Sequence, residues 1–211
     1  MEQYFKRHID KYLKDWKNSS DRKPLLVRGA RQVGKSSAIR HLGESFKYFL
    51  EINLERQKNI KTLFGDNLDI KKICSQLSAI YNTPIIPGET LLFIDEIQES
   101  ERAISSLRYF YEDYPELHVV AAGSLLEFTL NELPSFGVGR IRSLYMYPFS
   151  FDEYLEAQGQ GMQVAYKQNE TDCEHPLPLP MHEEMISQLR SYYLVGGMPE
   201  AVKVWVQTGN Y

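Results

Sequence analysis

Cysteine is almost missing from this chain: Cys74 and Cys173 are its only two among 211 residues. They stand far apart, without the closely spaced pairs that build a thiolate metal site, and so sparse a usage fits a reducing compartment. Long apolar runs are lacking as well, so no segment reads as a bilayer span. The start, MEQYFKRHID, has no apolar core of a signal peptide. The expectation is a cytoplasmic protein with no membrane partner. No N/T-K-x-D string for reading guanine occurs, and the catalytic-loop and activation-loop signatures of protein kinases are missing. No internal repeat is present.

What is there is ordinary globular composition, 43% hydrophobic and 25% charged, which argues against a disordered or fibrous chain. The length allows one α/β core with a small appendage. Charge is distributed unevenly: residues 1–40 carry 11 Lys and Arg against 4 Asp and Glu, while the remainder carries 13 against 24. A basic N-terminal segment suits nucleic acid, but several of these cations lie in or beside a loop that needs them for another reason.

Apolar residues at Phe5, Ile9, Tyr12, Leu13 and Trp16 form a helical stripe. Leu25–Gly29 reads as a short buried strand, followed by a helix from Lys35 to about Leu42 and a strand at Tyr48–Leu54. A helix with Ile70, Ile73, Cys74, Leu77 and Ile80 on one face comes next. Leu91–Ile94 is apolar at every position, as a central parallel strand covered on both faces must be. A helix with Ala103, Ile104, Leu107, Phe110 and Tyr111 precedes a strand at Leu117–Ala122, and Arg140–Tyr147 reads as the fifth strand. Alternating strands and helices imply a parallel sheet with helices on both faces, an α/β three-layer sandwich. The expected divisions are a core over residues 1–157, a polar loop or linker over 158–180, and a helical segment over 181–211, read as the start of a further domain.

Gly29–Ser36, GARQVGKS, satisfies G-x-x-x-x-G-K-[ST] and lies between an expected strand and an expected helix, the context a phosphate-binding loop needs. The glycines permit close approach, so backbone N–H groups can face phosphate oxygens. The helix start adds the positive end of its dipole. The expected cradle is Gly29, Ala30, Arg31, Gln32, Val33, Gly34, Lys35, Ser36 and Ser37. Lys35 supplies charge to the β and γ phosphates, and the Ser36 hydroxyl is a hard ligand for Mg2+. The ligand expected is ATP.

Magnesium also needs a carboxylate on a neighbouring strand end, and LLFIDE supplies Asp95 for that role, with Glu96 as general base toward water. An acidic pair in this place is otherwise a solvated strand end or a helix cap. Ser124, after VVAAG, either hydrogen-bonds the γ phosphate or the water, or caps a helix. Charge developing on the γ oxygens calls for a guanidinium. Arg140 is the preferred candidate beside Arg142, Arg102 and Arg108, though a structural ion pair is the more common role for any one of them.

The strings RGARQVGKSS, LLFIDEIQ, AAGSLLEF, VGRIRSLYMYPFSFDEYL and YYLVGGMPEAV resemble a prokaryotic AAA-type P-loop ATPase family whose members carry a C-terminal domain of uncharacterised function. The resemblance spans nearly the whole chain. It implies a P-loop NTPase core with sheet order 5-1-4-3-2, which places Ser124's strand between those of Lys35 and Asp95. It assigns Gln98, in the DEIQ string, to positioning water or the Glu96 side chain. It makes Pro199, in GGMP, an adenine contact, where the residues alone read equally well as a helix-breaking turn. The functional expectation is a Mg2+-dependent ATPase that drives a change of shape or assembly. The alternative is a slow nucleotide-gated switch whose output is protein or DNA binding. Expected partners are ATP and ADP, a homo-oligomer, and a protein or DNA client.

Overall fold

The computed structural model describes residues 4–65, 67–124 and 139–209, and they fall into two compact units: Ile9–Met146, and Met1–His8 together with Tyr147–Tyr211. The division comes after Met146, ahead of the expected boundary at 157/158.

The larger unit is built on five strands: β1 Leu25–Arg28, β2 Tyr48–Asn53, β3 Thr90–Asp95, β4 His118–Gly123 and β5 Arg142–Tyr145. All four pairings are parallel, and the order β2-β3-β4-β1-β5 is the expected 5-1-4-3-2 read from the other edge. Parallel neighbours cannot be joined by tight turns. The helices α1 Ile9–Asn18, α2 Lys35–Gly43, α3 Ile70–Tyr81 and α4 Glu101–Asp113 accompany the sheet. The three apolar-rich central strands explain the burial: every residue of β3 and β4 is buried, whereas β5 lies at an edge and is largely exposed. Because β4 is inserted between β1 and β3, the chain leaves β1 and β3 at the carboxyl edge in different directions, the place where open α/β sheets bind ligands.

The expected apolar stripes of α1 and α3 lose three of their residues from the buried face. In α1, Ile9, Leu13 and Trp16 are buried, but Tyr12 is 57% exposed because the i, i+4, i+7 stripe leaves it on the flank. Phe5, ahead of the helix, packs in the other unit's cluster instead. In α3, Ile80 is 55% exposed because Tyr81, four residues after Leu77, takes the inward place and packs on the core. Trp16 fixes α1 by donating from Nε1 to the Lys23 carbonyl at 2.7 Å and standing edge-on to His118. Burial, with Arg22 nearby, pushes the His118 pKa down to about 4, so the ring is neutral near pH 7.

In the smaller unit, helices α5 Phe151–Ala157, α6 Gly161–Asn169, α7 Leu179–Val195 and α8 Pro199–Thr208 surround a core of Phe149, Tyr154, Leu155, Val164, Met185 and Val202. Helix α6 lies inside the stretch 158–180 expected as loop or linker. Its polar composition hides it, and Val164 is its one buried residue. Glu153 closes a capping box on Ser150 and forms a buried ion pair with Arg7 at 3.0 Å. Burial alone would raise the Glu153 pKa, but hydrogen bonds from the Ser150 and His8 N–H groups, with Arg7, outweigh it and hold the carboxyl below its usual range.

Candidate active site

The loop after β1 adopts backbone that its glycines make possible. Gly29 has φ +147°, and a Cβ there would lie 2.2 Å from the Met146 carbonyl oxygen. Gly34 sits at φ 98°, ψ 15° as the N-cap of α2, and Gln32 between them is also at positive φ, 60°. Val33 anchors the loop with its buried side chain, leaving Ala30, Arg31, Gln32 and Ser37 exposed. Gly29→Ala combines strain and overlap, and is expected to destabilise the fold by about 1–3 kcal/mol. A lower urea midpoint reports it, and an unchanged midpoint refutes it.

Helices α3 and α4 begin with side-chain caps, Asp69 accepting from the Lys72 N–H and Ser100 from the Ala103 N–H, but α2 has no side-chain cap. Its first N–H groups are thus left for another acceptor, and an anion at a helix start is the natural one. Lys35, buried beside them, donates to the Gly29 and Ala30 carbonyls at 2.9 and 2.8 Å, folding back over its own loop. Burial lowers its pKa, against the pull of Glu96 and Asp95, and Arg31 adds to the lowering. A phosphate would relieve that cost.

Across the sheet edge, Ser36 Oγ donates to Asp95 Oδ2 at 3.1 Å. The Asp95 pKa is raised, first by burial and further by Glu96 and Glu51, although the Ser36 hydroxyl and the Glu96 N–H work the other way. Among the described residues no cluster of three His, Cys, Asp or Glu side chains could hold a metal unaided. One hydroxyl beside one carboxylate instead fits an ion that takes its remaining ligands from water and phosphate, as Mg2+ does.

Glu96, directly after β3, is held at φ 50°, ψ 47°. For a non-glycine residue this costs about 1–3 kcal/mol, the kind of strain found at functional sites. Ile97, fully buried, pins the short turn Ile97–Glu99 that follows, and Gln98 Nε2 donates to Glu96 Oε2 at 2.6 Å. Ser124, just past β4, has a buried hydroxyl without a partner among the described residues.

Asn53 is absent from the sequence reading. It ends β2 in register with Asp95, and its Nδ2 donates to Asp95 Oδ2 at 3.3 Å. The only available signal was a polar residue closing an otherwise apolar-alternating strand. Arg140 takes the structural ion pair that was its alternative role. Arg142, at the start of β5, pairs with Leu25 at the start of β1, so Arg140 lies at the amino end of the sheet while the loop leaves the carboxyl end. There it contacts Glu112 at 2.6 Å, an acid it shares with Arg108. Pro199 opens α8 in the smaller unit, after Gly197, whose own need is local: a Cβ there would lie 2.5 Å from the Phe149 carbonyl oxygen.

A sequence-family model described as an AAA domain matches residues 21–155, well over half of the chain and all of the loop and strand ends just described. The chain belongs to the AAA domain family. This AAA domain is similar in fold to the Walker-type ATPase PABY2304 of Pyrococcus abyssi, at 19% identity and TM-score 0.54, over 98% of this chain and 69% of that one. A looser likeness, TM-score 0.45 at 12% identity, covers 94% of this chain and 66% of PCH-2 from C. elegans, and adds nothing to the argument. No curated protein matches it. The family and the parallel sheet together make it an AAA-type P-loop ATPase domain that binds nucleotide. Among the described residues no helix is long and apolar enough to cross a membrane.

Proposed function

We propose that this domain binds ATP with Mg2+ and hydrolyses it to drive a conformational or assembly change. The observation that carries the reading is the hydrogen bond between Ser36 and Asp95, which brings the loop and the β3 end into one site with Glu96 next in sequence. Uncapped N–H groups of α2 and the Lys35 ammonium take the phosphates. Ser36 and Asp95 hold the ion, with Asn53 steadying the carboxylate. Magnesium, when bound, neutralises phosphate charge that would otherwise repel the attacking water. Glu96 accepts the water's proton, Gln98 holds Glu96, and Ser124 offers its unpaired hydroxyl to the γ phosphate or the water.

A slower, switch-like protein is the second reading, and the position of Arg140 favours it. From the amino end of the sheet that guanidinium serves a γ phosphate only on a neighbouring copy, so a lone domain turns over slowly and a homo-oligomer completes the site. A protein or DNA client would then respond to the bound nucleotide, ATP or ADP, in the cytoplasm, where Cys74 and the exposed Cys173 stay unpaired. Phosphate release measured with Mg2+ and again with excess chelator tests the reading. Release is expected to vanish on chelation, and equal rates in both would refute it.

A further inference from the structure

Helix α7 is apolar on two opposite sides, and only one of them is covered. Met185 is buried in the core of the smaller unit, Met181, Tyr192 and Val195 pack against that core, and the Tyr192 hydroxyl donates to the Phe149 carbonyl at 2.6 Å. About half a helical turn away, Leu179, Ile186 and Tyr193 are 67%, 37% and 74% exposed, with Leu194 exposed beside them. A surface helix ordinarily turns polar residues outward opposite its core face. Single exposed apolar side chains need no cause, but three in line along one helix keep apolar area in water that a second surface would remove.

The spacing of that outer face is regular. Leu179, Glu183, Ile186, Arg190 and Tyr193 follow one another at intervals of four, three, four and three residues, the alternation by which two helices pack along a common seam. The seam runs for about four turns. Its two charged members, Glu183 and Arg190, are exposed and their side chains have no ion-pair partner among the described residues. No residue three or four places from either of them along α7 carries a charge, so neither is answered by its own helix.

The charges select what fits. Laid antiparallel on a second copy and centred on Ile186, the seam sets Leu179 opposite Tyr193, Ile186 opposite itself and Glu183 opposite Arg190, and a twofold axis repeats each contact. A parallel copy would set Glu183 against Glu183 and Arg190 against Arg190. An antiparallel copy slipped by seven residues brings either the two glutamates or the two arginines together. Like charges facing across a closed contact repel, so one direction and one register remain.

We propose that α7 is a dimerisation surface on which a second copy of this chain packs antiparallel about Ile186, with Glu183 of each copy paired to Arg190 of the other. The proposal concerns the smaller unit alone and does not rest on the ATPase reading. Affinity comes from the apolar layers, and the ion pairs fix direction and register.

Sedimentation of the whole chain without nucleotide, at about 100 µM, is expected to show a dimer. Glu183→Arg and Arg190→Glu each face like charges across the axis and are expected to raise the dissociation constant by about tenfold or more, while the two together restore it to near the parental value. Both side chains are exposed, so the fold is kept, and thermal unfolding checks this. Ile186→Cys with Cys173→Ser is expected to join two copies through a disulfide on oxidation, since the axis passes beside residue 186 and Cys74 is buried. A parent that stays monomeric at this concentration overturns the proposal and leaves the face to a different partner. A dimer indifferent to both single reversals, or one that the double exchange does not restore, overturns it as well, and so does an Ile186→Cys protein that forms no crosslink.

Discussion

Glu96→Gln is expected to leave ATP binding intact and to lower phosphate release by roughly 10²–10⁴-fold, the usual contribution of a positioned general base. The substitution keeps the shape of the side chain and its place after β3. It removes only the ability to take a proton. The strained backbone at φ 50° makes the position informative, because a residue serving merely as a strand terminus has no reason to be held there. ATP affinity by calorimetry and phosphate release in a continuous assay separate the two effects. Unchanged release would remove Glu96 as the base, and lost binding would show that the carboxylate shapes the pocket instead.

Lys35→Ala is expected to weaken ATP binding by about tenfold to a hundredfold, which corresponds to losing one hydrogen bond to a charged partner. Two consequences combine. The phosphates lose their ammonium, and the Gly29 and Ala30 carbonyls lose the donor that steadies the loop at 2.9 and 2.8 Å. The second consequence makes the effect on nucleotide larger than the effect on the fold, because these carbonyls sit at an exposed loop and water can replace Nζ. Calorimetry with ATP and thermal unfolding without it distinguish them. Parental ATP affinity in a folded Lys35→Ala protein would show that the loop does not hold the phosphates.

Local chemistry was readable along the chain wherever neighbouring residues supply the whole argument. A phosphate loop is eight consecutive residues, so Gly29, Gly34, Lys35 and Ser36 declared themselves together, and the structure explains the glycines by the 2.2 Å clearance at Met146 and the positive φ values. A parallel strand buried on both faces is a run of apolar residues, so LLFI identified β3 and set Asp95 at its carboxyl end. Periodicity located the helices around the sheet but not the polar α6, and it failed at flanking positions such as Tyr12 and Ile80, where a 3.6-residue repeat leaves two candidates for one inward place.

Contacts between distant segments could not be read that way. Asn53 is 42 residues from Asp95, and only the register of β2 on β3 makes them partners. Arg140 looked suitable by type and by nearness to a strand, but the pairing of Arg142 with Leu25 puts it at the opposite end of the sheet from the loop. The Gln98 contact is short in sequence yet depends on the left-handed turn at Glu96, a conformation that composition does not announce for glutamate. The residues in order thus establish a nucleotide-binding AAA domain and the chemical types at its site. Which carboxylate oxygen is held, which arginine lies at the far end of the sheet and which amide holds Glu96 follow from strand register and backbone dihedrals, because hydrogen bonds depend on ångström-scale placement that only the packed chain provides.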